Sequence, residues 1–81
     1  MPTEAEIYGV LTEIFQDVFM RDDLVLTPVL SAKDVEGWDS FKMIDIIIAV
    51  EERFSIKMTT FEMDNLRNVG DLANAVLKKT K

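Results

Sequence analysis

The sequence predicts an all-α fold: a small bundle of three main helices and one short helix, with a long loop between the first and second. Three observations predict it. Apolar residues recur at helical spacing in three separate stretches. Residues with capping chemistry stand ahead of each predicted helix. The roughly twenty residues between the first two helices hold apolar side chains with neither helical nor strand period. At 81 residues the chain is expected to form a single domain, 1–81.

The first helix is predicted over about Thr3 to Phe19. Thr3 with Glu6 has the form of a capping box, and Ile7, Val10, Leu11, Ile14, Phe15 and Val18 follow at helical spacing. Gly9 inside it costs a little without breaking it. Over residues 20–39, Leu24, Leu26, Val29, Leu30 and Val35 are too apolar for disorder. The proline of Thr27-Pro28 disfavours helix at the residue before it. This loop is expected to lie across the core, with a single helical turn near Ser31 to Val35. The second helix runs from about Ser40 to Phe54, with either Asp39 or Ser40 as N-cap. Thr59 and Glu62 offer another capping box, opening a short helix from about Thr60 to Leu66. Asn68 and Asp71 open the last helix, whose apolar positions are Val69, Leu72, Ala73, Val76 and Leu77. Lys78, Lys79 and Lys81 near its end suit the helix dipole.

The second helix carries more apolar surface than a core needs. At about 100° per residue, Met43, Ile46, Ile47, Val50 and Phe54 share one side. Phe41, Ile44 and Ile48 fall on the opposite side, bordered by Asp45, Glu51 and Glu52. A helix buried all round would bring Asp45 and Glu52 into apolar surroundings without evident partners. An exposed apolar stripe with an acidic rim is the better reading, and it has the makeup of a protein-docking surface. The rim would steer basic partners.

Composition narrows the chemistry. There is no cysteine and no histidine. Disulfides, thiolate metal sites and Ser-His-Asp devices are therefore excluded, and the chain is expected not to be an enzyme and to bind no metal. Asp34, Glu36 and Asp39 lack the ligand spacing of a calcium loop. The net charge is −6. Residues 34–64 hold eight acids and three bases, whereas residues 65–81 hold one acid and four bases. An acidic middle argues against nucleic acid as a partner. The opening Met1-Pro2-Thr3-Glu4 has no basic n-region or apolar h-region. The longest apolar run of the second helix, Ile46 to Val50, is too short to span a bilayer. A cytoplasmic monomer without membrane insertion is expected.

Ser40 stands where the long loop meets the second helix. From position alone a helix cap is the simpler reading. A modified serine is the other, because a phosphate there would meet the positive end of the helix dipole. The run Gly37-Trp38-Asp39-Ser40-Phe41 resembles the attachment motif of acyl carrier proteins, typically Asp-Ser and a large apolar residue at the start of the second helix. Glu51-Glu52-Arg53-Phe54-Ser55-Ile56 and Val69-Gly70-Asp71-Leu72 resemble further stretches of that family, so the likeness runs nearly end to end. The resemblance implies that Ser40 is esterified with 4′-phosphopantetheine by a phosphopantetheinyl transferase, which Asp39 helps to engage. The arm's thiol would carry an acyl group as a thioester. Phe41, Ile44, Asp45, Ile48, Glu51 and Glu52 match the family's partner-facing positions. The implied partners are acyl-carrier ligases, ketosynthases or acyltransferases with basic docking surfaces. Phe41 and Lys42 depart from the residues commonest there, and the Gly-Trp pair suits a specialised member better than a housekeeping one. A peptidyl or aminoacyl carrier, and a helical interaction module without a prosthetic group, are the competing readings. Five methionines further suggest an interior soft enough to shelter a cargo chain.

Overall fold

The computed structural model describes residues 3–80. Met1 and Pro2 of the leader reading, and the expected dipole partner Lys81, lie outside the described residues. Four helices follow in order: α1 (Glu4–Phe19), α2 (Ser40–Phe54), α3 (Thr60–Asp64) and α4 (Val69–Lys79). Their starts lie where the capping chemistry places them. Thr3 and Thr59 each accept from the backbone three residues on, and Glu6 and Glu62 reach back to complete both boxes. Asn68 Oδ1 accepts from Asp71 N at 2.8 Å to open α4.

The predicted apolar stripes meet at one core. Ile7, Leu11, Ile14 and Phe15 of α1 are buried against Ile46, Ile47 and Val50 of α2. Val69, Leu72, Ala73 and Val76 of α4 close the third side. Val10, Val18, Met43, Phe54 and Leu77 pack at the margin rather than inside. α1 and α2 end on left-handed residues other than glycine, Met20 (φ 54°) and Ser55 (φ 55°). The next amides, of Arg21 and Ile56, then bond back to Gln16 and Glu51 carbonyls. Arg53 adds an exposed ion pair to Glu13 at 2.8 Å between α2 and α1. Exposed pairs of this kind contribute little.

Two expectations need correction. The short helix ends at Asp64, not Leu66. Asn65 still bonds back to Glu62, and Leu66 to Met63, so the chain leaves the helix through tight three-residue turns. Near Ser31 to Val35 there is no helix. Asp34 N bonds to the Ser31 carbonyl at 2.9 Å, and Trp38 N to that of Val35 at 3.2 Å, giving two successive turns. A methionine-soft interior is also only partly built. Met58 is buried, Met43 and Met63 are partly buried against the core, and Met20 is 90% exposed.

The loop of residues 20–39 does lie across the core, and it is tied at three places. Gln16 Nε2 donates to the carbonyls of Asp22 and Leu24 at 3.1 and 3.2 Å, which seats Leu24 in the core. Farther on, the carbonyls of Leu30 and Pro28 accept from Val69 N and Gly70 N, both at 2.9 Å. Those are two of the first-turn amides that a helix leaves unpaired. Ser31 also forms an antiparallel bridge with Asn68. Finally Val35 is buried and Trp38 packs edge-on against Phe15, with centroids 5.2 Å apart.

At the far side Glu62 accepts from Thr59 N at 2.9 Å and pairs with Lys79 Nζ at 2.9 Å. The Thr59 amide first, and Lys79 second, hold its carboxyl below the ordinary glutamate range. The lowered value means that this link between α3 and α4 is present above that range. It is lost as pH falls through the lowered value.

Two glycines separate packing from propensity. A Cβ on Gly70 would stand 2.9 Å from the Pro28 carbonyl oxygen and 3.3 Å from Pro28 Cβ, both on the strapped loop. A Cβ on Gly9 would meet nothing within 4 Å. Gly70→Ala is expected to destabilise by ~1–3 kcal/mol in denaturant unfolding. Gly9→Ala is expected to stabilise by ~0.5–1 kcal/mol. Equal effects of one sign would refute the close approach at Gly70.

Candidate functional site

The loop delivers Trp38, Asp39 and Ser40 to the start of α2, and the local hydrogen bonds decide what each residue does. Asp39 is the N-cap. Its Oδ1 accepts from Lys42 N at 2.9 Å, and its carbonyl accepts from Met43 N at 2.9 Å. Ser40 is therefore the first helical residue, not the cap. Its side chain is exposed and makes no hydrogen bond among the described residues. The cap reading of Ser40, the simpler one from position alone, is set aside by this geometry.

The surroundings suit an anion attached at Ser40. The hydroxyl sits at the positive end of α2, whose first turn holds no acidic residue. The amides of Ser40 and Phe41 have no partner among the described residues, as first-turn amides usually do not. The chain's other two serines differ. Ser31 is half-buried, its Oγ 3.3 Å from Asp34 Oδ2. Ser55 ends α2, at the negative pole of the helix.

Lys42, two residues on, does not neutralise this spot. Its Nζ donates to the Val18 carbonyl at 3.3 Å. The last turn of α1 contains no basic residue, so Lys42 supplies from α2 the cation that the end of α1 lacks.

The outer face of α2 is as the helical wheel predicts. Phe41, Ile44 and Ile48 are 77%, 46% and 49% exposed. Asp45 and Glu52 are exposed beside them, with no ion pair or hydrogen bond among the described residues. Glu51 stands apart from that rim. It is half-buried, and its Oε2 accepts from Met58 N at 2.8 Å, fastening the chain after α2. Its carboxylate is thus partly committed to the fold.

Other features around Ser40 and α3 were not singled out from sequence. Phe61 on α3 is 77% exposed but lines a cleft with Leu66, Ala75 and Lys78 on the α4 side rather than either cleft at Ser40. Two shallow clefts share Ser40 and Met43. One, of about 300 Å³, is lined by Ala32, Trp38, Asp39, Leu66 and Arg67. The other, of about 370 Å³, is lined by Ile44, Thr60, Met63 and Asp64. Neither was legible beforehand, since each joins segments distant in sequence.

The comparisons with known proteins meet this geometry. The chain belongs to the phosphopantetheine attachment site family, whose model matches residues 9–76. It is 30% identical over 78 residues to an acyl carrier protein of Acidothermus cellulolyticus, covering 96% of this chain and 93% of that one. It is 29% identical over 76 residues to a meromycolate extension acyl carrier protein of Mycobacterium leprae, covering 94% of this chain and 66% of the relative. Among solved structures it resembles a holo acyl carrier protein from Geobacter metallireducens. The TM-score is 0.85 at 42% identity, over 90% of this chain and 84% of that one. The class is thus an acyl carrier with covalently attached phosphopantetheine, which sets aside an interaction module without a prosthetic group.

The division of labour between cap and hydroxyl has a direct consequence. Asp39→Ala removes the N-cap and is expected to cost about 1 kcal/mol, lowering Tm by about 4–8 °C in a domain of this size. Ser40→Ala removes a hydroxyl without partners and is expected to stay within ~0.5 kcal/mol of the parent. Thermal unfolding of the two apo variants checks this. The reverse order would make Ser40 the cap.

Proposed function

We propose that Ser40 is the residue that holds the phosphopantetheine arm, and that this chain presents an acyl group on it to partner enzymes. The observation that supports this most is the free, exposed Ser40 hydroxyl at the first helical position, with capping assigned to Asp39. On attachment, Ser40 Oγ loses its proton and bonds the arm's phosphorus as the phosphoanhydride bond of the arm donor breaks and its nucleotide phosphate leaves, so that Oγ becomes the ester oxygen of a phosphodiester. The positive end of α2 stabilises the charge brought there. The arm supplies the thiol that a chain without cysteine lacks. Bond making and breaking at the thioester then belong to partner active sites, and the chain itself is not catalytic.

Asp39 is proposed to take part in transferase recognition through its position beside Ser40, in addition to its cap. The docking surface is Phe41, Ile44 and Ile48 with the acidic rim of Asp45 and Glu52. Glu51 adds charge at the edge of that surface while bonding Met58. An apolar centre with a charged rim favours partners presenting a basic ring around an apolar patch. Ligases, ketosynthases and acyltransferases that handle carrier-bound acyl groups fit that description. The acidity of the face favours an acyl over an aminoacyl cargo. Phe41 and the Gly37-Trp38 pair favour a dedicated pathway over housekeeping fatty-acid synthesis. The 1–81 chain is proposed to act as one domain, as a monomer in the cytoplasm. No helix among the described residues is long and apolar enough to cross a membrane.

Intact-mass measurement after incubation with a broad-specificity phosphopantetheinyl transferase and its arm donor tests the attachment. One arm's mass is expected on the wild type and none on Ser40→Ala. A gain that survives Ser40→Ala would contradict the assignment. For the docking surface, Asp45→Lys with Glu52→Lys is expected to lower kcat/KM of a partner ligase at least tenfold at low salt without changing the Tm of the carrier. A loss that persists unchanged at high salt would argue against electrostatic steering.

A further inference from the structure

The two clefts at Ser40 offer an attached arm two directions, and their chemistry differs. The first lies between the long loop and the segment joining α3 to α4. Ala32, Trp38, Met43 and Leu66 give it apolar walls, Arg67 gives it a cation, and Asp39, the cap of α2, stands at its rim with Oδ1 bonded to Lys42 N. It shares Ala32 and Arg67 with a neighbouring cleft that Ser31 and Lys33 also line, so a second cation stands close by. The second direction runs between α2 and α3, where Asp64 is the charged residue and Ile44, Thr60 and Met63 complete the wall. Arg67 is exposed, and its guanidinium makes no ion pair or hydrogen bond among the described residues. Its backbone amide is the part that serves the fold, donating to Asp71 Oδ2 at 3.1 Å.

We infer that the cleft between Trp38 and Arg67 is the resting seat of the prosthetic arm, with Arg67 as the positioning residue for its phosphodiester. The inference rests on Ser40 being the attachment point. Charge selects the direction. Asp39 adjoins Ser40 whichever way the arm turns, and its Oδ1 accepts from Lys42 N; beyond it a phosphodiester is attracted towards Arg67 on one side and repelled from Asp64 on the other. Shape and polarity agree with it. The geminal methyl groups of the pantoyl part find apolar surface on Trp38, Leu66 and Ala32. The distal amides then run towards the neighbouring cleft, where the Ser31 hydroxyl and the Lys33 ammonium are the polar groups. Trp38 is held for this role by its edge contact with the fully buried Phe15 and a tilted contact with Phe19 at 6.2 Å. An arm lying there leaves the apolar stripe of Phe41, Ile44 and Ile48 uncovered. Docking and resting therefore use different faces, and a partner's contact with α2 does not have to displace the arm first.

The chain has a single tryptophan, so the seat has its own reporter. The experiment compares apo protein, holo protein of verified arm mass, and holo Arg67→Ala, all without acyl cargo. It reads proton–nitrogen shifts, nuclear Overhauser contacts from the geminal methyls, and the phosphorus resonance. The expected result is contacts from the methyls to the Trp38 ring, with apo-to-holo shifts at Ala32, Trp38 and Leu66. In holo Arg67→Ala those shifts should fall by at least half and the phosphorus resonance should move. The fold should be unchanged, because the substitution keeps the backbone bond to Asp71. Contacts to Thr60 or Met63 would place the arm in the other cleft and overturn the inference. Methyl contacts to neither cleft, or shifts indifferent to Arg67→Ala, would also overturn it. These outcomes leave Ser40 attachment standing, whereas a chain that gains no arm mass at Ser40 overturns both.

Discussion

The docking of the long loop onto the start of α4 is the constraint on which the rest of the structure depends. A loop of about twenty residues is costly to order in a small domain. Here its carbonyls at Pro28 and Leu30 do two jobs at once. They fix the middle of the loop and satisfy first-turn amides of α4 that would otherwise need water. Gly70 permits the approach, since a side chain there would meet the Pro28 carbonyl. With the middle held, Leu24 and Val35 are committed to the core and Trp38 to Phe15. Asp39 then arrives in extended conformation as the α2 cap, and Ser40 is turned outward. The exposure of Ser40 thus follows from contacts made well away from it.

The same economy appears in the charged residues. Lys42, beside the site by sequence, is turned to the Val18 carbonyl at the end of α1. Glu51, on the acidic side of α2 by sequence, is turned to the Met58 amide. What remains uncommitted on the outer face is Asp45 and Glu52 around Phe41, Ile44 and Ile48. That arrangement keeps a docking surface without asking those residues to hold the fold. Substitutions there can alter partner choice with little effect on stability.

Local chemistry made much of this legible. Thr3-Glu6, Thr59-Glu62 and Asn68-Asp71 marked helix starts because capping is a short-range hydrogen-bond pattern. The two faces of α2 were legible because helical periodicity fixes direction around an axis. Ser40 was singled out by its neighbours Asp39 and Phe41, but which of Asp39 and Ser40 caps the helix was open, as either side chain has the needed oxygen. The turns at Ser31–Asp34 and Val35–Trp38, the seat on Val69 and Gly70, and the cleft bringing Trp38 to Arg67 were not legible. Each depends on pairs some thirty or more residues apart or on the choice between a turn and a helical turn, and neither is written in spacing. The same holds for Lys42 and Glu51, whose partners lie on other elements or past a turn.

Amide hydrogen exchange at Val69 and Gly70 tests the loop's anchoring on α4 most directly. First-turn helix amides ordinarily exchange quickly because nothing inside the helix accepts from them. With Leu30 and Pro28 as acceptors, both amides should be protected at least a hundredfold over an unstructured chain, comparably to the interior of α4. Exchange at unstructured rates at these two positions, with the rest of α4 protected, would contradict the loop's role in presenting Ser40.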